Sequence, residues 1–143
     1  MNTSMRLPDA VRISARGREI LIKLKRYTGV GQWNTLCRVA YCYSLAIGTE
    51  PTQAPEKGDC ALEIEWGTFC GPIKTELAAL TVWHSAKDGA LQQDIAKYVR
   101  AHVERGLGAI QNVRSVAELA RIATGNTGST EAETRAISSV ITN

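Results

Sequence analysis

Few side chains in this sequence could do chemistry: His84 and His102, Cys37, Cys42, Cys60 and Cys70, and the closely spaced pair Glu63 and Glu65. Zinc needs ligands that converge on one point. Cys37 and Cys42 lie five apart in a helical pattern, which turns them to different faces, and the other two cysteines are isolated. Glu63 and Glu65 would share one face of a strand, where solvation accounts for them without chemistry. Each histidine sits in an amphipathic helical pattern and reads as a hydrogen-bonded core or interface residue. Gly29-Val30-Gly31 is too short to cradle phosphate and falls where a helix–helix turn needs glycine. Phosphate-loop, dinucleotide, nucleophile-elbow and HExxH motifs are all missing from the chain. The expectation is a protein with no catalytic residues, no metal and no cofactor.

What remains is charge, and it is concentrated. The net charge is +3, but residues 1–50 hold eight cations against Asp9, Glu19 and Glu50, a surplus of five that leaves −2 for the rest. Arg16, Arg18, Lys23, Lys25 and Arg26 fall within one helical segment whose other face carries Ile20, Leu21, Leu24 and Thr28. Only Glu19 interleaves, so the cations gain little from pairing four residues apart and repel one another. Arg12 precedes this segment and Arg38 follows it. A local basic face of this kind suits the phosphate backbone of a nucleic acid, and nothing in it promises base reading.

The elements that must carry these residues are mostly helices. Val11-Arg12-Ile13 alternates as a short extended segment. Ser14 caps a helix over 15–28 that stops at Gly29, and Asn34 opens a second over 34–47 that stops at Gly48. That second helix is apolar almost all round, with Arg38 its only charge. It must be covered everywhere, either as the central helix of a monomer or by self-association through Leu36, Val39 and Tyr43. Residues 48–71 read as a long connection containing a half-buried strand over 61–66. Pro72 opens a third helix over 73–87 with Ile73, Leu77, Leu80 and Trp83 on its stripe. A fourth runs over 91–109 with Ile95, Val99, His102 and Val103 inward and Gly106 and Gly108 weakening its end. Ser115 and Glu118 form a capping box for a fifth over 116–123. The fold class expected is mainly α: a compact domain of about five helices with at most one or two short strands. Its N-terminal part resembles a ribbon-helix-helix module. A single domain covers 1–125, and 126–143 is a tail with room for a short helix.

At 143 residues the chain can bury a sufficient core without staples. Its N-terminus has no apolar stretch of a leader, and its longest mostly apolar run, 39–47, is under half of a membrane span. Reduced thiols and a cytoplasmic location are expected.

The run from Arg12 to Cys42 resembles the DndE family of DNA sulfur-modification proteins. The carrying features are the helix start at Ile13-Ser14, Leu24-Lys25-Arg26, Thr28-Gly29, and Trp33-Asn34 followed by Leu36-Cys37-Arg38. Glu65-Trp66 with Phe69, and Arg105-Gly106-Leu107-Gly108, look like later markers, so the resemblance spans about 12 to 122. The tail after Gly125 has no counterpart in it. The resemblance implies an accessory protein whose partners replace a non-bridging phosphate oxygen of DNA by sulfur, the small member binding DNA as a homo-oligomer, most simply a tetramer. The expected DNA-binding residues are then Arg12, Arg16, Arg18, Lys23, Lys25, Arg26 and Arg38. Two other readings stay open: a ribbon-helix-helix transcriptional regulator, and an assembly adaptor that binds the modification subunits rather than DNA. A nicking nuclease would need clustered acidic metal ligands, and the carboxylates are scattered.

Overall fold

The computed structural model describes residues 6–52, 60–89 and 94–124. Strand β1 (Ala10–Ile13) leads into α1 (Ala15–Thr28) and α2 (Trp33–Ile47). Strand β2 (Leu62–Glu65) is followed by a short α3 (Trp66–Cys70), a 3-10 turn (Gly71–Ile73), α4 (Lys74–Lys87), α5 (Ile95–Ile110) and α6 (Val116–Ala123). The two strands pair antiparallel, with Val11 opposite Ile64 and Arg12 opposite Glu63. Strand alternation sends Val11, Ile13 and Ile64 into the core and leaves Arg12, Glu63 and Glu65 in solvent.

Helix α2 is the centre of the molecule. It packs most extensively on α5 and also meets α1, α3 and α6. Leu36, Cys37, Ala40, Tyr41, Ser44 and Leu45 are buried there, so tertiary packing covers most of this apolar helix. The approach of α5 is close: a Cβ on Gly106 would lie 1.9 Å from the carbonyl oxygen of Ala40. Gly106 is therefore a contact point between two helices, and its cost to helix propensity is offset by packing.

Helix ends follow local chemistry in most places. Ser14 caps α1 by accepting from the Gly17 amide, and Gly29 (φ 76°) and Gly48 (φ 83°) end α1 and α2 in the left-handed conformation. The second helix departs from expectation. It begins at Trp33 without a side-chain cap, and the Asn34 amide instead donates to the carbonyl of Thr68 on α3. Ser115 accepts from the Glu118 amide, but the Glu118 carboxylate reaches back to Arg114 N rather than Ser115 N. The last helix but one starts at Ile95 on an Asp94 cap; residues 90–93, included in the expected 91–109 span, lie outside the described residues.

Three expectations are corrected in the middle of the chain. Trp66 does not end a strand but begins α3, where it is buried and stacks on Phe69 with centroids 5.5 Å apart. Pro72 sits in the 3-10 turn, and α4 starts only at Lys74. Of the stripe read into α4, Leu77 alone is buried. Ile73, Leu80 and Trp83 are exposed, and the inward face holds Thr81 and Ser85 instead. A helix tucked against Tyr41, whose hydroxyl meets Thr81 Oγ1 at 2.6 Å, needs a small polar inner face. The expected tail helix lies outside the described residues.

Candidate nucleic-acid interface

The basic helix is fixed from beneath. Glu104 on α5 accepts hydrogen bonds from both the backbone N–H and the hydroxyl of Ser14, each at 2.9 Å. Ser14 Oγ in turn accepts from Gly17 N at 3.0 Å. A Cβ on Gly17 would sit 2.7 Å from the Ile13 side chain, so the β1–α1 corner closes only around glycine. Ile20, Leu21, Leu24 and Thr28 then point inward. Thr28 finishes the helix by donating to the Leu24 carbonyl at 2.7 Å. With that face locked, geometry forces the opposite face outward.

Arg16, Arg18, Lys25 and Arg26 are exposed and Lys23 is half-buried. Among the described residues none of these five makes an ion pair; the two ion pairs present join Arg6 to Asp9 and Arg12 to Glu63. Lys25 and Arg26 occupy the last turn, where the helix dipole favours cations. That local benefit accounts for two of the five and leaves Arg16, Arg18 and Lys23 without an ion-pair partner among the described residues. Ile22, the single apolar residue amid the cations, is also exposed.

The flanking arginines differ in fate. Arg12 extends outward from β1 and stands 3.5 Å from Glu63, a solvated pair that only partly neutralises it. Arg38 does not extend the patch as expected. Its guanidinium donates to the Phe69 carbonyl at 2.9 Å, to the Thr68 carbonyl at 3.4 Å and to Thr35 Oγ1 at 3.2 Å. It also packs against Gly71, where a side chain would collide with it. Arg38 binds the end of α3 because unpaired helix carbonyls need donors.

One further cation joins the face from far along the chain, and the sequence pattern gives no sign of it. Arg114, just before α6, lies over the Tyr27 ring at 4.6 Å from its centroid. Tyr27 is itself exposed beside Arg26, so the fold appends a cation to the end of the basic face. No periodicity links residues this far apart, and only the packing of α6 near α1 reveals it.

The expected interface residues also separate. Leu36 is fully buried within the chain and cannot meet another copy, a correction to its assignment. Val39 and Tyr43 are half-buried and line an open groove of about 430 Å³ with Cys42, Ile47, Ile73 and Ile122.

The candidate chemical residues resolve into structure. His102 is 1% exposed, and its Nδ1 lies 2.8 Å from Ser44 Oγ. Burial, with the Arg105 guanidinium adding to it, pushes its pKa down to about 4. Burial chiefly lowers His84 as well. The four cysteines are free thiols, and burial pushes Cys37 up to about 12 and Cys70 up to about 11, leaving both protonated. Among the described residues no three His, Cys, Asp or Glu side chains are grouped as metal ligands, and no helix is long and apolar enough to cross a membrane.

Comparison with known proteins gives a consistent set of relatives. The family described as DNA sulphur modification protein DndE matches residues 10–118. The crystal structure of DndE from Escherichia coli B7A, involved in DNA phosphorothioation modification, is similar at a TM-score of 0.58 and 25% identity. It covers 73% of this chain and 99% of that one. A glycine-to-lysine mutant of DndE involved in DNA phosphorothioation gives a TM-score of 0.54 at 25% identity, over 74% and 99%. No curated protein sequence matches.

Proposed function

Because this chain belongs to the DndE family of DNA sulphur modification proteins, we propose that it serves DNA phosphorothioation as a non-catalytic, DNA-binding accessory subunit. The observation that carries this reading is the outward face of α1, where five cations have no ion-pair partner among the described residues. Mutual repulsion of these charges costs folding energy, and phosphates are the natural compensation. Contacts of this type position a protein on the duplex and carry little sequence information. Arg16, Arg18, Lys23, Lys25 and Arg26 form the core of the surface, with Arg12 at its edge. Arg38 drops out because its guanidinium is turned onto the Thr68 and Phe69 carbonyls at the end of α3. The chemistry of sulfur transfer then belongs to partner subunits, acting in the cytoplasm, with this chain working as a homo-oligomer. A ribbon-helix-helix regulator is less consistent with the geometry, since β1 pairs with β2 of its own chain rather than offering itself to a second copy.

The test is a binding titration against salt on unrelated duplexes. Log affinity should fall linearly with log salt, by about 0.9 per phosphate contact. Lys23→Ala or Lys25→Ala should weaken all sequences alike and flatten the slope by roughly one unit per lost contact. A Lys23→Glu, Lys25→Glu, Arg26→Glu triple variant that folds and binds with unchanged affinity and slope would refute the reading. Binding to the modification subunits without binding DNA would replace it with the adaptor.

A further inference from the structure

The α1 cations end at Arg26, but the positive surface continues onto another element. Helix α6 packs against α1, with Val113 and Leu119 buried on either side of the turn that opens it. This turn fixes Arg114. Its backbone N–H donates to Glu118 Oε2 at 3.1 Å, and its guanidinium carbon lies 4.6 Å from the centroid of the Tyr27 ring. Both side chains are exposed. Among the described residues the Arg114 guanidinium has no ion pair and no hydrogen-bond acceptor. Contact with a ring engages the face of a guanidinium and consumes none of its N–H donors.

The ring that holds Arg114 stands in line with the helix cations. Arg16, Lys23 and Tyr27 are spaced seven and four apart, so at 100° per residue they fall within about 40° of one another. Arg114, seated on Tyr27, is therefore the last cation of this row. That is where a further cation matters. The C-terminal end of a helix carries roughly half a negative charge, which repels an approaching phosphate. Lys25 and Arg26 offset this charge, and a third fixed cation makes the helix end attractive. A role limited to clipping α6 onto α1 would not need an exposed pair, since Val113 and Leu119 already anchor the turn. An arginine restrained by an aromatic face also loses less side-chain freedom when it meets a phosphate.

We infer that Arg114 is a DNA phosphate contact supplied by the turn before α6, with Tyr27 as the residue that positions it. This extends the backbone-binding surface from one helix to two elements, and it rests on the reading of the α1 face as a DNA surface.

Salt titrations of the full chain on a labelled duplex test it, with folding followed by circular dichroism. Arg114→Ala should stay folded, flatten the log–log salt slope by about 0.9 and weaken binding about eightfold at 0.1 M salt. Arg114→Gln should do the same, and Arg114→Lys should keep the slope. Tyr27→Ala removes no charge, yet it should weaken binding a few-fold, and Tyr27→Phe should recover that loss. The decisive readout is a double-mutant cycle: in the Arg114→Ala background, Tyr27→Ala should cost nothing further. A merely structural tyrosine would cost the same in both backgrounds, and that additivity would overturn its positioning role. A wild type that binds, responds to Lys23→Ala and ignores both Arg114→Ala and Arg114→Gln overturns the inference alone. A wild type that does not bind duplex DNA overturns the α1 reading together with it.

Discussion

At the residue scale, His102 shows how a group with chemical potential is turned into structure. Its Nδ1 shares a hydrogen bond with Ser44, whose Oγ also accepts from Arg105 Nε at 2.8 Å. Arg105 goes on to donate to the carbonyls of Ser44 and Thr49 at the end of α2. Tyr41 and Tyr98 present their rings edge-on to the imidazole, and its Nε2 has no hydrogen-bond partner among the described residues. A charged imidazole is disfavoured there by burial and by the neighbouring guanidinium. The folded pKa of about 4 lies below the unfolded value near 6.5, so the unfolded chain binds more protons between these limits. Stability should therefore be fully present above about pH 6.5 and fall as pH drops toward 4, by roughly 2–3 kcal/mol at most. Denaturant melts across this range should show the slope in wild type and a flattened one in His102→Gln. An unchanged slope in that variant would assign the acid sensitivity elsewhere.

At the element scale, the α2–α5 crossing carries the fold, and Gly106 is where it is tightest. An added methyl would meet Ala40 backbone atoms rather than a side chain that could swing away. Gly106→Ala, which improves helix propensity on paper, should instead destabilise the protein by about 3 kcal/mol or more. Gly108→Ala is the control: a methyl there would meet nothing within 4 Å, so the change should be neutral or slightly stabilising. Thermal melts of the two variants moving in the same direction would contradict this account. The Arg-Gly-Leu-Gly stretch was legible as a marker in the sequence, but its two glycines looked alike. Only the neighbouring backbone tells them apart.

At the scale of the whole molecule, the central helix retains one open side. Leu36→Asp should unfold the chain, because it places a charge in a fully buried site. Val39→Asp and Tyr43→Asp border the groove and should leave the fold intact while reducing the mass of the assembly. Circular dichroism paired with sedimentation separates these outcomes. Folded, full-mass Val39→Asp and Tyr43→Asp proteins would exclude the groove as an interface.

The sequence by itself determined what depends on near neighbours. Helix stops at Gly29 and Gly48, the Ser14 and Ser115 caps, the alternation of β1 and the basic surplus of residues 1–50 all follow from spacing a few residues long. So did the two faces of α1, since an apolar stripe inward leaves the cations outward wherever the helix docks. Only tertiary structure decided what depends on partners far along the chain. Arg38 looked like one more exposed cation until α3 presented its carbonyls, and Arg114 looked incidental until it met Tyr27. Leu36 and Val39 were equally apolar on one helix, yet packing buries the side that holds Leu36 and leaves a groove at Val39. The stripe of α4 misled for the same reason: hydrophobic periodicity shows that a face will be covered, not which surface covers it. Burial is a property of the assembled surfaces, so its direction becomes visible only when they are brought together.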